Sequence, residues 1–158
     1  MIINQCVEEG VYVVLLLSLQ KDHQPLRSTE LSTILCVSDS YLKKILRKLV
    51  LADIIVSNPG REGGFQLSRS VEEITLFDIY TALEGRYCDL KMTGIGKRIF
   101  IYGREFSQGE DAVVSVFGQA NEAFLDELRS LSLSELVSKD NYLNGTIDFR
   151  ENCRTGQE

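Results

Sequence analysis

The stretch from Ser38 to Leu51 leaves this chain the least freedom. It reads Ser-Asp-Ser-Tyr-Leu-Lys-Lys-Ile-Leu-Arg-Lys-Leu-Val-Leu. On a helical wheel Tyr41, Leu42, Ile45, Leu46 and Leu49 fall on one side, and Lys43, Lys44, Arg47 and Lys48 fall opposite. Ser38 supplies a capping hydroxyl, and Asp39 favours the positive end of a helix. One face must be buried while the other stays in water or meets an anion. Just ahead, Ser28-Thr29-Glu30-Leu31 opens a shorter helix, with Ser28 as its cap and Leu31, Ile34 and Leu35 facing inward, ending near Cys36. A short helix, a turn and an amphipathic helix with a basic outer face make a helix-turn-helix pattern.

The next elements fit beside it. Ile54-Ile55-Val56-Ser57 is a β-branched strand, Asn58 to Gly64 is rich in turn residues, and Phe65-Gln66-Leu67 alternates as a return strand. This hairpin reads as a wing. Residues 3–20 predict an apolar, largely buried helix. Thr75 caps a further helix with Asp78 as its box partner, and Gly85 ends it. The fold class is therefore mainly α with a small β-hairpin wing. Residues 1–85 form the winged helix-turn-helix domain. Residues 86–110, punctuated by Gly94, Gly96, Gly103 and Gly109, read as a linker or sensor loop. The helical period returns at 111–130 through Val113, Val114, Phe117, Phe124 and Leu128. Residues 111–136 thus read as a long helix region with few partners left in its own chain, which suits pairing with a second copy. Residues 137–158 read as a polar tail, loose from Asp140 onward.

Composition removes several classes. At 158 residues and 44% hydrophobic, the chain has ample apolar surface to bury, so wholesale disorder is excluded. Four cysteines with no Cys-x-x-Cys do not make a disulfide scaffold. The apolar run Val11 to Leu17 is too short for a bilayer and comes after Glu8 and Glu9, unlike a secretory signal. A cytoplasmic protein with no membrane partner is expected. The net charge of −6 argues against a polyanionic partner only as an average. Between residues 37 and 69, Lys43, Lys44, Arg47, Lys48, Arg61 and Arg69 face only Asp39, Asp53 and Glu62, and a local patch is what matters.

Residues 38–69 resemble the Rrf-type bacterial transcription regulators, a group that includes the iron–sulfur cluster regulator, the nitric-oxide-sensing repressor and the cysteine-metabolism repressor. Glu73-Ile74-Thr75-Leu76-Phe77-Asp78-Ile79, the subsequent Leu83-Glu84-Gly85, and the Gly63-Gly64-Phe65-x-Leu67 wing agree with that family. The resemblance covers residues 1–85 firmly and weakens beyond. It implies a homodimer on double-stranded operator DNA, with a winged helix-turn-helix from each subunit and long C-terminal dimerisation helices. A sequence-specific regulator, taken as a repressor, is the expected function. The other reading is a winged-helix subunit that docks on a partner protein, motivated by the acidic C-terminal half.

The helix from Ser38 is then the recognition helix, its start reaching base edges and its cations reaching phosphates. Ser38, Ser40 and Tyr41 are assigned to bases or nearby phosphates, and Lys44 and Lys48 to phosphates. Tyr41 has the alternative of packing its ring at the core edge. Ser28 offers a backbone N–H to phosphate or is an ordinary cap. The family usually places an arginine just before a Gly-Pro-Gly stretch. Here Pro59-Gly60-Arg61-Glu62 moves it two positions, which bears on the operator sequence, and Arg61 remains a minor-groove candidate.

Cluster-binding members carry three closely spaced cysteines in the loop before the long helix. This chain has only Cys88 there, with Cys6, Cys36 and Cys153 elsewhere, so no iron–sulfur cluster, metal or other cofactor is expected. Cys88, with Arg86 and Lys91 nearby, is a candidate redox sensor. The signal stays open between thiol oxidation, a small-molecule effector and a partner protein. With His23 alone and no nucleophile motif, catalysis is not expected.

Overall fold

A computed structural model describes residues 4–60, 62–85, 93, 95, 99 and 104–151. The chain divides into two compact units, residues 1–85 with 129–158, and residues 86–128.

In the first unit, α1 (Gln5–Leu19) buries Val7, Val13, Val14 and Leu17. The helix is apolar on nearly all sides because other elements cover it nearly all round. Its Gly10 is a packing residue. A Cβ there would lie 2.5 Å from Leu83 Cδ1 and 3.0 Å from Ile79 Cγ2. The glycine thus lets α1 pack closely on α4 (Leu76–Leu83). That helix opens on the expected box: Thr75 N–H donates to Asp78 Oδ2 at 2.8 Å, and Asp78 N–H donates to Thr75 Oγ1 at 3.3 Å. Gly85, with φ of 91°, lies just past its end.

Between them lie α2 (Ser28–Ile34) and α3 (Asp39–Leu51). The inner face of α3 is Leu42, Ile45, Leu46 and Leu49, each at most 3% exposed. Burying such side chains contributes about 1.5–3 kcal/mol apiece. Ser28 does not cap α2. Arg27 occupies the cap position, and its backbone N–H donates to Glu30 Oε2 at 2.7 Å. Glu30 reaches back one turn for this donor, which leaves Ser28 as the first helical residue. Strands β1 (Ile55–Asn58) and β2 (Gly64–Leu67) pair antiparallel from Ile55↔Leu67 to Asn58↔Gly64. This is the mainly α fold with a hairpin wing that the sequence predicts.

In the second unit the helical period begins earlier than expected. Helix α5 runs Arg104–Ser130, seven residues before Asp111. Along it Val113, Val114, Val116 and Phe117 are exposed, from 39% to 64%. Val113, Val114 and Phe117 share one face at three- and four-residue steps.

The chain then re-enters the first unit, and here the expectation of a loose tail fails for residues 139–151. A short 3-10 turn, Leu133–Leu136, pairs back to the start of α4, with Leu133 N–H donating to Ile74 O at 2.8 Å. Helix α6 (Lys139–Asn144) buries Tyr142, whose hydroxyl donates to Glu72 Oε1 at 2.6 Å. Ile147 bridges Gln20, and Phe149 N–H donates to the buried Gln20 Oε1 at 3.1 Å. Arg150 donates to Gln24 Oε1 at 3.1 Å and to Pro25 O. Three spaced apolar side chains and one buried glutamine are enough to dock a segment that looks polar. Tyr142→Ala should therefore cost about 3 kcal/mol in urea unfolding. A loose tail would leave the midpoint unchanged.

Candidate nucleic-acid interface

The turn between α2 and α3 is closed by backbone. Val37 N–H donates to Ser32 O at 3.0 Å, and Cys36 takes a left-handed φ of 54°. Ser38 caps α3 by accepting from Tyr41 N–H at 3.4 Å. Two further contacts fix the start of α3. Asp39 pairs with Lys43 at 2.6 Å. Its carboxyl is held below the usual range chiefly by Lys43, and next by the Ser28 hydroxyl on α2.

Tyr41 stays 37% exposed and is tied to α1. Its hydroxyl donates to Oε2 of Glu9 on α1 at 2.7 Å, and Glu9 is only 7% exposed. That hydrogen bond first, and burial second, push the phenol up to about 12. Lys48 is also committed within the fold. Its Nζ donates to Leu83 O at 2.6 Å, at the C-terminal end of α4. A cation there satisfies an orphan carbonyl and the negative end of the helix.

What remains on the outer face of α3 is a stripe. Ser40, Lys44 and Arg47 are exposed at four- and three-residue steps, and the two cations meet no acceptor among the described residues. Lys43 is exposed but half neutralised by Asp39. Arg47 is not among the residues that the sequence assigns to DNA. The wheel places it on the basic face with Lys44, and only the diversion of Lys48 distinguishes it.

The wing is anchored beside this motif. Leu26 N–H donates to Phe65 O at 3.0 Å, and Phe65 N–H donates to Leu26 O at 2.8 Å. Gly64 makes that approach possible, since a Cβ there would lie 2.6 Å from Leu26 O. Across the hairpin, Asn58 Nδ2 donates to Gln66 Oε1, and Gln66 Nε2 donates to His23 O at 2.7 Å. Arg61 lies outside the described residues, as do Cys88 and Cys153.

The Rrf2 family model, described as an iron-dependent transcriptional regulator, matches residues 3–139. The chain belongs to the Rrf2 family. It is 35% identical over 135 residues to YwgB of Bacillus subtilis, covering 84% of this chain and 82% of that protein. It is 30% identical over 135 residues to YffB of Lactococcus lactis, covering 85% and 86%. Both relatives are named as HTH-type transcriptional regulators. The structure of CymR, the global cysteine regulator of B. subtilis, matches with a TM-score of 0.61 at 19% identity, over 86% of this chain and 95% of that one. The chain is thus a bacterial-type winged-helix regulator, and its relatives are regulators rather than enzymes. No described helix is long and apolar enough to cross a membrane.

The family description raises iron, and the described residues do not fit it. Among them no three His, Cys, Asp or Glu side chains come together to hold a metal. Cys6 lies on α1 and donates its thiol to Glu84 Oε1 at 3.3 Å. Burial first, then Glu84, raises its pKa, so the thiolate that a metal requires is disfavoured. Cys36 is exposed in the helix-turn-helix turn.

The Tyr41–Glu9 bond yields a pH test. A tyrosine whose pKa is higher folded than unfolded adds stability that is whole below the unfolded value of about 10. That stability is lost as pH rises through about 12. Tyr41→Phe should cost about 1 kcal/mol in urea unfolding at neutral pH. The gap from wild type should shrink above pH about 10, and a gap constant with pH would contradict the assignment.

Proposed function

We propose that this chain is a homodimeric, sequence-specific repressor that acts in the cytoplasm and lays α3 in the major groove of operator DNA. The observation that carries this reading is the stripe of Ser40, Lys44 and Arg47, two of its members cations without acceptors among the described residues, on a helix whose other face is core. A helix start reads bases while flanking cations hold phosphates. Ser40 is then the base-reading side chain. Ser38 and Ser28, both at helix starts, bring backbone N–H groups towards phosphate. Lys44 and Arg47 take phosphates, Arg61 of the wing enters the minor groove, and Tyr41 and Lys48 position the helix from behind.

The exposed face of Val113, Val114 and Phe117 on α5 supports a homodimer, because a patch of this kind marks an interaction surface. Residues 86–110 then couple the DNA-binding and dimer parts, and oxidation of Cys88 is the proposed signal. A disulfide formed there with a second thiol would release two protons and two electrons to an oxidant such as peroxide.

The deciding experiment is a gel shift on DNA upstream of the chain's own gene across a range of salt. Lys44→Ala and Arg47→Ala should each lower the salt slope by roughly one unit. Lys48→Ala should lose stability while keeping the slope. If neither Lys44 nor Arg47 moves the slope, α3 is not the phosphate-binding face. Phe117→Asp should convert a sedimenting dimer into monomer, and a wild-type monomer at micromolar concentration would refute the dimer.

A further inference from the structure

A cavity of about 340 Å³ opens at the foot of the wing, bounded by α1, by β2 and the residues after it, and by α6. Its walls are Leu17, Leu67, Val71 and Leu143, and its polar groups include Arg69, Ser70 and His23. We propose that this cavity binds a small aliphatic carboxylate, and that its occupancy steadies the wing.

Arg69 supplies the charge. Its contact is Asp78 Oδ1 at 3.3 Å, and its Nε has no acceptor. Asp78 cannot serve it fully, because its other oxygen accepts from both Thr75 N–H and Thr75 Oγ1, each at 2.8 Å. With Nε buried and Nη2 facing Asp78, the Nη1 end of the guanidinium is the part left for a second carboxylate. Beside it, Ser70 Oγ accepts from Glu72 N–H at 3.3 Å, which leaves its own proton to donate. The remaining walls are aliphatic and the volume is at the lower end for ligand sites, which suits a short branched chain under the charged head.

The walls also set what occupancy would do. His23 Nε2 lies 3.3 Å from Leu143 O, so the loop after α1 and helix α6 meet at the cavity. The His23 carbonyl accepts from Gln66, and Gln66 accepts from Asn58 beside the wing turn. A ligand against Leu143, His23 and Gln66 therefore touches the frame that holds the hairpin.

The test uses the full chain without DNA, so it stands apart from whether the proposed operator reading holds. Calorimetric titration with 4-methylpentanoate should give saturable binding at millimolar concentration. The neutral isostere 4-methylpentanamide should bind about ten-fold more weakly, the loss expected for one charge-assisted pair. Arg69→Gln should weaken the acid to a similar degree. Leu143→Trp, at a position already 55% exposed, should fill the cavity and abolish binding while the melting temperature stays near wild type. Hydrogen exchange across residues 55–67 should slow with the acid in wild type and not in Leu143→Trp. Absence of saturation, equal binding of acid and amide, or binding indifferent to Leu143→Trp overturns the site. Unchanged exchange in the hairpin overturns its link to the wing.

Discussion

Two backbone hydrogen bonds between Leu26 and Phe65, 3.0 and 2.8 Å long, join the hairpin to the segment that begins α2. A hairpin of two four-residue strands is marginal by itself in water. Here it gains a third backbone partner, and its return strand closes over buried Leu26. The spacing between the wing and α3 depends on this junction, because α2 leads into α3 through a turn closed by Val37 and Cys36. Gly64 is the point where side-chain chemistry yields to geometry, since any Cβ would meet the Leu26 backbone.

The electrostatics of α3 depend on where its cations find partners. Four lie on its basic side. Asp39 pairs with Lys43, and Lys48 keeps its charge but spends one N–H on the carbonyl of Leu83, so Lys44 and Arg47 are the cations with no acceptor among the described residues. This explains how a chain of net charge −6 keeps a usable basic face. The local field near α3 is set by the cations clustered on its outer side rather than by the sum over the chain.

Much of the fold is legible in the sequence because its signals are local. The period of α3, the capping pair Thr75–Asp78 and the glycines of the wing each depend on residues within a few positions. The site is legible as a face but not as a set of contacts. A wheel shows that Lys48 points outward with Lys44, yet it carries no information about the α4 carbonyl 35 residues away. Tyr41 stays open in the sequence for the same reason, its partner Glu9 being 32 residues distant. The docked tail escapes a sequence reading because Tyr142, Ile147 and Phe149 share no helical or strand period. The anchor of Ile147 and Phe149, Gln20, lies 129 residues from Phe149 and reads as an ordinary polar residue.

The attachment of the tail also orders events during synthesis. Arg150 holds Gln24 and Pro25, and approaches within 3.8 Å of Glu30, whose carboxylate also caps the start of α2. The helix-turn-helix is thus encoded in α2 and α3 but braced by Arg150, far along the chain from both. Local helices form as they leave the ribosome, whereas contacts of such sequence separation wait for the whole span to emerge. A nascent chain paused before Arg150 carries α3 with its supporting frame still open. Full bracing of α3 becomes available only once Arg150 has emerged.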